Sequence, residues 1–306
     1  MNWQCVWSDC WEPEIVTPGV ETVATVILVA STVLVLVLVL AVVSLRALSA
    51  VKGVVTSRRT AAARAVIFAV IDGDPPRAPR GPVRRAAVAA TAVRLSTKLR
   101  GADRAALARW LTDEGFRHRA TVMMHATFAI SRARGARLFV ACLADRETGP
   151  LLDLLHDRDV RVRAVAARAL GECGISSAVP FLVRAAASHE NPLPVSAAAM
   201  AIVHTAPRSA RGLGMAWGSG DPAVASMAAD VAGYLHLTDA RERLERLLNS
   251  GEPEVVASAA RALARLGDPR SAAAISTRLV DGDLPAQVRN GLHVAFADLH
   301  HVRFES

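Results

Sequence analysis

From Thr22 to Leu45, twenty-four consecutive positions carry no charged residue, and all but five of them are Val, Leu, Ile or Ala. At 1.5 Å rise per residue a helix of that length spans about 36 Å, enough to cross a hydrocarbon core of about 30 Å with some tilt. The many β-branched valines would suit a strand, but a lone strand in lipid leaves its backbone groups unpaired, so the run predicts a transmembrane helix over 21–46. A cleaved signal peptide fits less well. The residues before the run are acidic where a signal peptide carries Lys or Arg, and the run exceeds an h-region of about 7–15 residues.

Beyond it the pattern changes. Val66 to Ile71 is apolar but too short to span, and is expected either to continue the helix or to pack on the domain below. Prolines 75, 76, 79 and 82 then fall within a few residues of one another, which no helix interior accepts, so 47–82 reads as a basic juxtamembrane segment ending in a linker. Val83, Val88, Ala92, Leu95 and Leu99 recur at helical spacing with Arg84, Arg85, Arg94, Lys98 and Arg100 largely off that stripe. That describes an amphipathic basic helix, with 83–135 as the amino-terminal cap of the repetitive carboxyl half.

In that half, Val162, Val195, Val224, Val255 and Val288 align in a column. Ala164, Ala197, Ser226, Ala257 and Asn290 stand two places on, Ala167, Met200, Ala229, Ala260 and His293 five places on, and Leu170, Val203, Ala232, Leu263 and Phe296 eight places on. These offsets put an apolar stripe on one helix, with a small residue where a neighbour approaches. A turn precedes each: Asp157 and Asp159, Asn191-Pro192, Asp221-Pro222, Glu252-Pro253, and Asp283 to Pro285. Shorter apolar segments, such as Leu151 to Leu155 and Leu244 to Leu248, come before the turns. A helix pair that cannot bury its own stripe must stack on its neighbours, so the expected fold is all-α: one transmembrane helix followed by an α-solenoid over 136–306.

Charge locates the partners. Residues 1–45 hold four acids and no base, whereas 46–109 hold fourteen Lys and Arg against three Asp. The excess of Lys and Arg after the run, Arg46, Lys52, Arg58, Arg59 and Arg64, sets 1–20 outside and the solenoid in the cytoplasm of an inner membrane. Anionic lipid is the expected partner of that basic stretch, since each base near the surface gains about 1 kcal/mol. The sharper alternative, nucleic acid on the basic helix, has no accompanying motif. Trp3, Trp7 and Trp11 share one helical face and form an expected aromatic anchor, with a ligand cage as the alternative. Cys5 and Cys10 fit a short-loop disulfide, free thiols or lipidated thiols equally.

The stretch from Leu151 to Gly174, LLDLLHDRDVRVRAVAARALGECG, and the later EPEVVASAARALARLGDPRSAAA resemble bacterial HEAT repeats of the phycobilisome-lyase-like type, in which an acidic or proline turn precedes V-R-x-x-A-x-x-A-L-G and a G-D-P link, here Gly267-Asp268-Pro269, leads onward. The resemblance covers about 136–299 and is strongest at 149–174 and 244–274. It implies a scaffold that binds other proteins, with the second helices on its concave face. Arg163, Arg168, Arg261 and Arg289 lie on those helices and are the candidate partner surface, the alternative being arginines salt-bridged to neighbouring turns.

Chemistry finds little foothold. H-E-x-x-H, G-x-S-x-G, C-x-x-C and G-x-x-x-x-G-K-[ST] are all absent from the sequence. Deoxyhypusine hydroxylase resembles the fold but holds two irons through four His-Glu pairs, whereas this chain has one, His189-Glu190. Bilin lyases share the repeat type, and the related DNA glycosylases need a basic groove where this solenoid is near neutral. Gly212 to Trp217 reads as a distorted first helix, with Trp217 either core filling or a partner anchor. Cys142 and Cys173 read as small hydrophobes, and His300-His301 lack a spaced third ligand. The expectation is a binding module without catalysis, cofactor or metal. A lyase-like or isomerase-like accessory enzyme is the alternative.

Overall fold

The computed structural model describes residues 18–143, 147–280 and 284–301, and among these every regular element is helical. The tail tryptophans Trp3, Trp7 and Trp11, with Cys5 and Cys10, lie outside the described residues, as does Asp283. The chain divides into two compact units, Met1–Ala62 and Ala63–Ser306.

Helix α1 runs from Pro18 to Ile71. Its segment Val23–Arg46 has a mean hydropathy of 3.3 and buries none of its length, so it is long and apolar enough to cross a membrane. Arg58 and Arg59 are exposed. The helix does continue past the apolar run, and Ala63, Ile67 and Val70, three and four residues apart, are buried in the core of the second unit. The prolines of 72–81 stop it. That stretch is held in place, because the Trp110 indole N–H donates to the Pro76 carbonyl at 2.8 Å.

Helices α2 (Pro82–Ser96) and α3 (Gly101–Asp113) come next. Val88 and Ala92 of the expected stripe are buried, but Val83 is exposed, being at the first turn. Arg85 is also not free on the surface: it donates to the Glu114 carbonyl and lies 4.5 Å above the Phe116 ring.

The stack begins at α4 (Phe116–Met124) and α5 (Ala129–Ala141), which pack as a hairpin, so α5 starts seven residues before the helix expected from Ala136. Gly135 makes that hairpin tight, since a Cβ there would lie 2.8 Å from the Ala120 carbonyl oxygen. Beyond it lie α6 (Gly149–Asp153) with a short 3-10 turn, α7 (Val160–Glu172), α8 (Val179–Ala186) and α9 (Val195–Thr205). The segment before α10 (Pro222–Tyr234) forms only two 3-10 turns, Ala210–Leu213 and Ala216–Gly218, in keeping with its glycines. Helices α11 (Arg241–Leu247), α12 (Pro253–Leu266), α13 (Ala272–Val280) and α14 (Ala286–His301) complete the chain.

Second helices pack on second helices in the order α5, α7, α9, α10, α12, α14. Alanine and glycine let them approach: a Cβ on Gly171 would fall 2.8 Å from the Ala201 carbonyl oxygen, and one on Gly233 would fall 2.6 Å from the Ala262 Cα. Two of the turns cap through their aspartates, whereas Pro194 and Glu252 at the starts of α9 and α12 make no side-chain cap. Asp159 accepts from the Arg161 N–H and Asp221 from the Ala223 N–H, both at 2.9 Å, with Pro222 and Pro253 at helix starts.

One register differs. On α9 the buried residues are Ala198, Ala201, Ile202 and Thr205, while Met200 is 57% exposed and Val195 and Val203 are half-buried. The column therefore passes through Pro194 rather than Val195. With Leu193 buried beside two prolines, and six consecutive apolar residues from Ala197 to Ile202, the α9 sequence carries too weak a stripe to set its own register. On α14, His293 is exposed rather than buried, and among the described residues no further second helix packs on that face; Val288, Leu292, Ala295 and Leu299 are buried.

Candidate functional site: a groove across the second helices

The shift on α9 turns Val195, Ala199 and Val203 outward, and with Met227, Asp230, Val231 and Tyr234 of α10 they line an open groove of about 660 Å³. Glu254, Arg261 and Arg265 of α12 close its far side. The floor is apolar and the rim charged. Asp230 pairs with Arg261 across the repeat boundary at 3.2 Å, and Arg261 is further held by the Ser258 hydroxyl, 2.9 Å from its guanidinium nitrogen. Tyr234 is 62% exposed at one edge. Ser226, which also lines the groove, has a hydroxyl that is enclosed and unpartnered among the described residues.

The candidate arginines separate into two kinds. Arg163 is buried and unavailable to a partner, which corrects the expectation. Its guanidinium donates to the carbonyls of Asp157 (2.8 Å) and Arg158 (3.3 Å) in its own turn and to Pro192 (2.9 Å) in the next, so it ties adjacent repeats together. Arg132 does the same one repeat earlier, donating to both Asp157 carboxylate oxygens at 2.7 Å and to the Ala126 and Thr127 carbonyls. Sequence reading missed Arg132, although Arg132, Arg163 and Arg289 recur one place after the column and each bonds the carbonyl five residues back. Arg289 is exposed, Arg261 is the one inside the groove, and Arg168 is 74% exposed with only a long 3.9 Å contact to Glu172. Trp217 is half-buried against the core, its indole N–H enclosed without a partner among the described residues, and it is not part of the groove walls. That placement matches the core-filling alternative of its two readings.

The turn around Asp157 is the strongest electrostatic feature. Burial by itself would raise the Asp157 pKa, but hydrogen bonds from Arg132 and from the Asp159 N–H outweigh it and hold the carboxyl below the usual range. The Arg161 side chain and N–H lower Asp159 to about 2. Burial drives the thiols the other way, Cys142 to about 12 and Cys173 to about 11, so both stay protonated and behave as packing residues. His189 and Glu190 lie in the turn after α8, and no three His, Cys, Asp or Glu side chains gather among the described residues.

The family model for HEAT repeats matches residues 148–213 and 210–293. Residues 148–293 are HEAT repeats. No curated protein sequence matches the chain significantly. Among solved structures, two engineered proteins from structural genomics are similar to the chain at low identity. One is 19% identical with a TM-score of 0.35, covering 72% of this chain and 92% of its own; the other is 20% identical with a TM-score of 0.36, covering 78% and 74%. Human deoxyhypusine hydroxylase in complex with glycerol is 17% identical with a TM-score of 0.28, covering 81% and 99%. At these scores the overlaps add nothing to the repeat assignment.

Proposed function

We propose that the chain is a single-pass inner-membrane protein whose cytoplasmic HEAT solenoid binds a protein partner, recruiting or regulating a membrane-associated enzyme or assembly without catalysis of its own. The observation that carries the reading is the groove on α9, α10 and α12: open, apolar at its floor, and flanked by an already satisfied Asp230–Arg261 pair. A catalytic pocket is enclosed and brings unsatisfied polar groups together, whereas a peptide-binding face is wide and keeps its charges at the rim. Anionic lipid engages the basic stretch around Arg58, Arg59 and Arg64, which comes soon after the apolar run. The phycobilisome-lyase-like subtype, and with it an accessory lyase-like activity, rests on the V-R-x-x-A-x-x-A-L-G pattern alone.

The test is site-specific photo-crosslinking of the full chain in its own membrane, with benzoylphenylalanine placed at Val203, at Tyr234, or at Val280, which is 84% exposed and outside the groove. A discrete adduct to one protein from the first two positions and not the third is expected. Equal adducts from all three, or none alongside a copurifying small molecule, overturns the reading in favour of the enzyme.

A further inference from the structure

We infer that the partner of this groove is an extended acidic segment followed by a bulky apolar residue, an assignment that rests on the protein-binding reading above. Six places after the buried column, on successive second helices, stand Arg137, Arg168, Met200, Asp230, Arg261 and Val294, all on the solvent side of the stack. The row changes character along its length. Asp230 and Arg261 neutralise each other, while Arg137 and Arg168, joined by Arg134 one turn earlier on α5, have no acidic partner on a neighbouring helix among the described residues. Arg134 and Arg137 make no ion pair or hydrogen bond among the described residues, and Arg168 reaches only Glu172. On the same two helices Arg132 and Arg163 show what an arginine does here when its task is structural: it is buried and saturated with turn oxygens. The three exposed arginines have no such task, and apart from the long Arg168–Glu172 contact no carboxylate among the described residues pairs with them. Guanidinium forks bind carboxylates in paired hydrogen bonds.

The apolar part of the groove begins on the next helix, where Val195, Ala199 and Val203 line it. This adjacency favours a polypeptide, which carries both carboxylates and apolar side chains, over a nucleic acid. Second helices lie about 8–10 Å apart, and an extended chain advances about 3.3 Å per residue. Carboxylates about three residues apart therefore match α5 and α7, and an apolar residue about three to six places further reaches the trough.

The experiment pans a display library of random 16-residue peptides against the full chain in detergent micelles, then measures selected peptides on variants. Enrichment of acidic-then-apolar sequences is expected, with affinity at low salt falling at least tenfold in Arg134→Glu/Arg137→Glu/Arg168→Glu and staying constant in Arg208→Glu/Arg211→Glu. The milder triple Gln variant repeats the measurement should charge reversal perturb the fold. Selected peptides without carboxylates, or binding indifferent to the triple variants, overturn the acidic assignment. If those peptides still lose affinity in Tyr234→Asp, the groove remains a protein site and only this inference falls; if they do not, both fall. A single-stranded oligonucleotide that binds more tightly than any peptide, and is lost in the triple variant, overturns it in favour of nucleic acid.

Discussion

Arg163 donates to three carbonyl oxygens across two turns while Arg168, five residues on in the same helix, is 74% exposed. At 3.6 residues per turn the two point about 140° apart, and that angle alone assigns one to the fold and the other to solvent. Residue type gave no warning; the signal that could have given one is recurrence, because Arg132, Arg163 and Arg289 share a place beside the column. The Arg132–Asp157 pair is the contact on which the turn most depends, with both side chains at least nine-tenths buried. Asp157→Ala should lower stability by about 3–5 kcal/mol, because it strands a buried guanidinium, whereas Arg161→Ala, which breaks a solvent-screened surface pair, should leave stability nearly unchanged. Urea unfolding followed by circular dichroism separates them. The same turn dictates an acid dependence. Asp157 and Asp159 have pKa values below the unfolded range, so their stabilisation is complete above about pH 4 and is lost as pH falls toward the Asp159 value of about 2. In Asp157→Ala that acid-dependent loss should shrink.

At the scale of the element, the glycines near the ends of α7 and α10 decide how close two repeats come. Gly233→Ala should force α10 away from α12, since its Cβ would meet Ala262 backbone at 2.6 Å, and overpacking of this kind costs about 1–3 kcal/mol. Gly251→Ala, which meets nothing within 4 Å, should leave the thermal midpoint nearly unchanged. Helices α7 and α12 were legible from sequence because their buried and exposed positions differ in polarity. Helix α9 was not: Ala197 to Ile202 are all apolar, so no periodicity distinguishes one register from the next, and the neighbouring helices α7 and α10 settle which residues are covered. The groove depends on that choice, because the one-place shift is what brings Val195, Ala199 and Val203 to its wall.

For the whole molecule, the apolar run of α1 and the stack of helix pairs make separate predictions. Leu34→Arg together with Leu38→Arg, at about 2.5–3.5 kcal/mol each at the centre of a span, should release the chain from membranes under alkaline carbonate, while the unaltered chain stays with the pellet. Retention of the double variant would show that the run is not what holds it. Sequence by itself determined that there is a lipid-length helix, that the rest is helical pairs repeating at roughly even intervals, and where most turns fall, because run length, proline and the periodicity of apolar side chains are local properties of the chain. Only the tertiary structure decided which arginines clamp the turns and which face solvent, the register of α9, and hence the existence of a groove. Those depend on what each helix packs against, and a stripe of alanine offers several nearly equal faces until a neighbour covers one of them.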